Sequence, residues 1–200
     1  MSIVKLNNRS VKDITAFGSI SSLGSLTHIA TQTASSSASL SFTSGINSTY
    51  KEYIFYFNNI HPATDNVKFQ FQGSTNTGSS YGVTITNTYH RAYHQEDGDP
   101  AVLAYEGTFD QAQSTAFANL VDNLGADNDQ TCSGSLTIYN PSSIFVKHFM
   151  SRLNNYHQNE YSMDQYSAGY FNTTSAVDAV QFKMSSGNID SGQILLFGLN

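Results

Sequence analysis

Val67-Lys68-Phe69-Gln70-Phe71-Gln72 alternates apolar and polar side chains without a break. Successive residues of a strand point to opposite faces, so this run predicts a strand with one buried and one wet face. Working outward, Glu52–Asn58 carries Tyr53, Ile54, Phe55, Tyr56 and Phe57 in succession, which predicts a central strand covered on both sides. Upstream, Leu26–Thr33 and Ser39–Thr43 flank Ala34-Ser35-Ser36-Ser37-Ala38, a stretch short enough to be a hairpin connection. Downstream, Gly73–Ser80 is a turn-rich loop. A long strand then runs from Tyr81 to about His94, with Val83, Ile85, Tyr89 and Tyr93 on one parity. Gln95-Glu96-Asp97-Gly98-Asp99-Pro100 ends it, because proline cannot continue a ladder. Ala112–Leu124, closed by Gly125, is the one helix expected. Further strands are expected at Ser135–Tyr139, Ser143–Met150, Tyr166–Phe171, Val177–Met184 and Gln193–Leu199. About ten strands at this rhythm predict an all-β, two-sheet antiparallel sandwich or jelly roll, as a single domain over residues 21–200. Residues 1–20 read as an N-terminal arm, with room for a short strand at Asp13–Phe17.

Composition agrees. Of 200 residues, 39% are hydrophobic and only 12% charged, and 75 are Ser, Thr, Asn or Gln. Four Glu, six Lys and three Arg are too few to solvate the outer faces of a helical protein. Thirteen Phe and twelve Tyr supply a core, which excludes a disordered chain. A formal charge of −6 argues against nucleic-acid binding, which needs a basic footprint. No apolar run approaches the ~20 residues of a spanning helix. The first residues, Met1-Ser2-Ile3-Val4-Lys5-Leu6, lack the apolar core of a secretory signal. The lone Cys132 forms no intrachain disulfide, in keeping with synthesis in a reducing cytoplasm.

Several motifs touch known chemistries and fall short of them. Gly78-Ser79-Ser80-Tyr81-Gly82 fits the G-x-S-x-G of hydrolases, but it sits in a loop before a strand rather than on a strand-to-helix elbow. His90 and His94 are four apart, yet on a strand that separation is ~13 Å, too far for ligands of one ion. Glu96-Asp97-Gly98-Asp99 and the group of Asp122 with Asp127-Asn128-Asp129 offer the oxygen atoms calcium prefers. Neither follows an EF-hand spacing; solvated acidic turns are the expected account, and an ion shared by loops that converge at one sandwich end is the alternative. Gly187–Gly192 has the glycine spacing of a phosphate loop without the Lys and Ser/Thr that complete it. No acidic pair stands at a glycosidase spacing. The expectation is a non-enzymatic protein with no cofactor, no metal and no catalytic residue.

The stretch Gly169–Asp178 and the ending Ser186-Gly187-Asn188-Ile189-Asp190-Ser191-Gly192-Gln193-Ile194-Leu195-Leu196-Phe197-Gly198-Leu199 resemble virion structural proteins of tailed bacteriophages, especially marine ones. Phe42–Tyr53 and Ile60–Asp65 share that likeness, which spans the chain from about residue 20 onward. The resemblance implies a structural component of the particle, either a capsid decoration protein or a tail or fibre subunit. Its partners would be other virion proteins, and it favours a homo-oligomer, a trimer in particular. In the arm, Ile3, Val4, Leu6, Arg9 and Lys12 could attach an acidic protein to the particle; an added edge strand is the plainer account of the same residues. The alternative function is a carbohydrate-binding module of a tail fibre, touching a host surface glycan through Tyr81, Tyr89 and Tyr93.

Overall fold

The computed structural model describes residues 26–200. The arm, its five candidate attachment residues and the strand expected at Asp13–Phe17 lie outside them. Among the described residues there are thirteen strands, all pairing antiparallel, and no helix. The larger layer sets side by side β1 (Thr27–Thr33), β13 (Ile189–Leu199), β3 (Glu52–Pro62), β9 (Cys132–Tyr139), β10 (Lys147–His157), β11 (Tyr161–Phe171) and β5 (Ile85–Gln95). On the far side of β5 lie two short strands, β6 (Ala101–Tyr105) and β7 (Gln111–Ser114). The smaller layer runs β2 (Leu40–Phe42), β12 (Ala179–Met184), β4 (Val67–Ser74) and β8 (Ala118–Leu124). One pairing, His157 with Leu124, joins the layers at β10 and β8. At the opposite side Gln32 Nε2 of β1 donates to Ser41 O of β2 at 3.3 Å. The result is a flattened, nearly closed barrel, with β11, β5, β6 and β7 extending the larger layer beyond it.

The core follows from the alternation. Val67, Phe69 and Phe71 are buried while Lys68 and Gln70 are half-buried, as the opening hexapeptide predicts, but Gln72, expected on the wet face, is buried and donates to Thr115 O at 3.1 Å and Ala116 O at 2.9 Å. Phe182 of β12 lies among Phe55 at 5.1 Å, Phe57 at 5.2 Å and Phe42 at 6.2 Å, each edge-on, and stacks on Phe69 at 5.9 Å. Edge-to-face rings place positive rims on negative faces and add to the burial they share.

Four expectations are corrected. The helix at Ala112–Leu124 is instead β7 and β8. Opposite β4, Phe69 and Val67 are two apart but face Val121 and Leu124, three apart; Gln70 and Phe69 face Asn119 and Val121. Each extra residue on β8 is a bulge, and Asn123 beside one has φ +48°. The bulges bring Ala118, Leu120, Val121 and Leu124 to the core, a spacing that imitates helical period. Second, β1 and β2 do not form a hairpin. They pair with β13 and β12, and the Ser-rich stretch crosses between layers, held by Ala34 N and Ser36 N to Gly192 O and Asp190 O at 2.9 Å each. Third, β3 is central but covered on one face: Tyr53, Phe55 and Phe57 are buried, while Tyr56 is exposed on the outer face, edge-on to Phe197 at 5.7 Å. Fourth, β6, β7 and β8 raise the strand number from about ten to thirteen; β6 and β7 are too short to show a period.

The closing motif has a physical reading. Gly192, at φ +112°, sits where β13 bulges against β3, and a Cβ there would lie 2.5 Å from Asn59 O. At Gly198 a Cβ would meet the Tyr50 ring at 2.2 Å, so the absent side chain makes room for an aromatic lid over the last strand.

Candidate functional site

Beneath the extension the interior changes character. Odd positions of β5 point inward, and after Ile85 they are Asn87, Tyr89, Arg91 and Tyr93. Inward positions of β10 include Ser151, Asn155 and His157, and β11 supplies Met163, Gln165 and Ser167. These face β8, whose bulges turn Asp122 in alongside Leu124. Buried polar groups must find partners, and of the groups that follow all but Arg91 Nε have one. Gln165 Oε1 accepts from the Tyr89 hydroxyl and from Asp122 N at 2.9 Å, while its Nε2 donates to Asn155 Oδ1. Arg91 spans two carboxylates, Asp122 at 3.0 Å and Glu106 at 2.8 Å. With its amide nitrogen toward Asp122, at 3.1 and 2.6 Å, Asn123 accepts from His157 Nε2 at 3.1 Å. His157 Nδ1 in turn accepts from Asn159 N at 3.0 Å.

Those bonds fix protonation. Burial holds the Asp122 carboxyl above its ordinary value, opposed by the Arg91 guanidinium. Burial, and then Arg91, hold the His157 imidazole below its own, in agreement with a ring that donates from one nitrogen and accepts at the other. Burial, with the Asp122 charge, raises the Tyr89 phenol well above its usual range. The network is therefore neutral at His157 and Tyr89, with Arg91 as its single cation.

Where β8 ends, the inner face of the extension opens to solvent. A cleft of about 220 Å³ lies there, lined by Arg91, Tyr93, Asn123, His157, Asn159, Tyr161 and Met163. Tyr161 stands perpendicular to both Tyr93 at 5.4 Å and His157 at 5.1 Å, and the Arg91 guanidinium lies over the Tyr93 ring at 5.6 Å.

The three tyrosines expected to meet a glycan part company. Tyr89 is fully buried, edge-on to Phe109 at 5.3 Å, so it offers nothing to a surface ligand. Strand parity put it with Tyr93 but could not say that residues 106–117 cover one and not the other. Tyr93 lines the cleft. Tyr81 precedes β5 and lines a separate hollow with Ser80, Thr84, Thr115 and Asn172. Eight residues of strand from Ile85 to Tyr93 put the two hollows about 26 Å apart. Arg91, Asn123, His157, Asn159, Tyr161 and Met163 were not anticipated. The one signal in the sequence was an arginine on the inward parity of β5, since a charge there demands buried partners.

The remaining motifs resolve locally. His90 and His94 project outward from β5, and His90 stacks flat on Tyr166 at 4.8 Å. Ser80 of the G-x-S-x-G run closes a turn with Asn76, its N–H donating to Asn76 Oδ1 at 3.0 Å. Asp122 does not belong with the acidic turn at Asp127–Asp129, because it is buried against Arg91. Among the described residues no three His, Cys, Asp or Glu side chains gather closely enough to hold a metal ion. Lys147, fully buried, donates to Phe145 O at 2.7 Å and Thr173 O at 2.9 Å and so ties two loops together. Comparison with protein-family models, curated proteins and solved structures gave no match to this chain.

Proposed function

We propose that the chain is a non-enzymatic structural component of a tailed-phage particle, a capsid decoration or tail or fibre subunit. In this reading the N-terminal arm attaches it and the β domain is displayed on the virion. The observation that carries the reading is an unguarded edge with apolar side chains turned to solvent. Strand β6, Ala101-Val102-Leu103-Ala104-Tyr105, pairs only with β5 and contains neither Lys nor Pro. Leu103 is 78% exposed and Tyr105 64%. A free edge of this kind is a template for pairing with another chain unless charge or proline blocks it. Ile144 and Phe145, 75% and 73% exposed, present a second apolar tip on the loop before β10. Neighbours in a particle, or further copies of the chain in a trimer, would cover such surfaces. The closing Ser186–Leu199 motif, with its resemblance to virion proteins, supports the same assignment.

The test is the copy number of the protein in purified virions, by quantitative mass spectrometry against the major capsid protein. Hundreds of copies mean decoration of the capsid lattice, and a handful mean the tail or its fibres. Absence from the particle overturns the reading. A chain lacking residues 2–12 is expected to fold and to be lost from the particle; packaging at the full-length level would remove the arm from its attachment role.

A further inference from the structure

We infer that the free edge of β6 takes the N-terminal arm of a neighbouring copy of this chain as a further strand. The pairing needs only a second copy, so it goes beyond the particle assignment; within a particle, the arm would attach each copy by way of its neighbour. The backbone comes first. Glu106 N donates to Tyr89 O at 3.0 Å and Gln95 N to Pro100 O at 3.2 Å, so the even-numbered residues of this segment bond β5. Ala101, Leu103 and Tyr105 therefore turn their N–H and C=O groups away from the sheet, and among the described residues none of these groups has a partner. The Leu103 and Tyr105 side chains stand exposed beside them.

Charge then selects the occupant. Between Arg91 and Lys147 the chain has eight Asp and Glu and no Lys or Arg, and β6 lies inside that stretch. Two copies of β6 pairing with each other would set the turn at Glu96–Asp99 of each against Glu106 and Asp110 of the other, with no cation to separate them. The edge calls for a strand that is apolar at its centre and basic at its flank. Residues 1–12 hold three of the nine Lys and Arg and no acid. Run antiparallel, with Val4 opposite Leu103 and Leu6 opposite Ala101, the arm lays its apolar parity beside the exposed side chains of β6. That register brings Arg9 to Asp97 and Asp99. Glu106 already holds Arg91 at 2.8 Å, whereas Asp97 and Asp99 meet no cation among the described residues.

Reach points to a neighbour rather than to the same molecule. Strand β1, where the arm joins the domain, lies seven strands from β6, about 34 Å across the larger layer. Thr27 also stands in the row of Asn87, while Ala101 stands in the row of His94, about 23 Å along the strands. The sixteen residues from Ser10 to Ser25 would have to cover about 40 Å over a curved face, against ~22 Å for an unconstrained chain of that length. A neighbouring copy needs no such stretch. Arm and edge are different surfaces, so the contact is head-to-tail and closes as a ring, a trimer among the possibilities.

The test is carbodiimide cross-linking of the full chain, mixed from isotope-labelled and unlabelled copies and read by mass spectrometry, together with sedimentation. Lys5 or Lys12 is expected to join Glu96, Asp97 or Asp99 in peptide pairs of mixed isotope. Sedimentation at on the order of 100 µM should show a closed oligomer. Leu103→Pro removes an outward N–H that β5 does not use, so the domain should fold as the parent does while self-association weakens more than about tenfold. Arg9→Glu should weaken it about tenfold, and Asp97→Lys with Asp99→Lys in the same chain should restore it. The inference fails if the chain sediments as a monomer at that concentration, or if no cross-link of mixed isotope joins the arm to this turn. It fails equally if neither Leu103→Pro nor Arg9→Glu alters assembly. Arm-dependent assembly of a chain that is absent from virions would remove the particle reading and leave this one standing.

Discussion

The two halves of the interior are held together by different physics. Around Phe182 the layers meet through apolar packing led by rings, Phe42, Phe55, Phe57 and Phe69, all buried and edge-on or stacked. Beneath β5 and β11 they meet through Tyr89, Arg91, Asp122, Asn155 and Gln165, a chain of donors and acceptors. The aromatic half asks only for volume and shape, and it gains by excluding water. The polar half gains little net energy per bond but fixes one arrangement, because each group left alone would carry its full desolvation cost. This explains why the cleft lies at the polar end. A network that already orients side chains toward the interior can leave a few of them pointing at an opening.

Removing a ring from the aromatic half should do the most damage. Phe182→Ala is expected to cost about 4 kcal/mol, read as a shift of the urea midpoint at unchanged slope, because five-ring packing cannot close over the cavity. A loss of only ~1 kcal/mol would mean that this half collapses readily, and the contrast with a rigid polar half would dissolve. Next comes the ion pair. Asp122→Ala should cost about 3 kcal/mol, since Arg91 keeps Glu106 but loses its buried partner and Asn123 loses the carboxylate it donates to, while Gln165 keeps its bonds to the backbone of residue 122. The double variant Arg91→Met, Asp122→Leu should regain part of that loss, because it removes both charges at once. If the double variant is less stable than Asp122→Ala, the network stabilises by more than neutralising its own charges.

The smallest effect is the one that depends on pH. His157 in the folded chain resists protonation, held low by burial and by Arg91. As pH falls from about 7 to about 5, the unfolded chain takes up that proton first, so acid favours unfolding. Stability present near neutrality is lost across this interval, and the melting temperature should fall with it. His157→Asn, whose Oδ1 stands where Nδ1 was and can still accept from Asn159 N but does not titrate, should flatten the profile. A profile as steep as the parent's would place the sensitivity elsewhere.

Much of this was legible in the chain. Strict alternation at Val67–Phe71 and the shared parity of Ile194, Leu196 and Gly198 identify one-sided strands, because side-chain direction in a strand is a local property. Scarcity of Glu, Lys and Arg excluded a helical protein on solvation grounds alone. Beyond that, only the tertiary structure decides. Whether Ala118–Leu124 is helix or bulged strand depends on its register against Val67–Phe71, far away in sequence. Tyr89 and Tyr93 share a strand, a face and a residue type, yet one is sealed under Phe109 and the other lines a cleft. Local periodicity assigns a side chain to a face; what covers that face is set by segments that meet it only once the chain has folded.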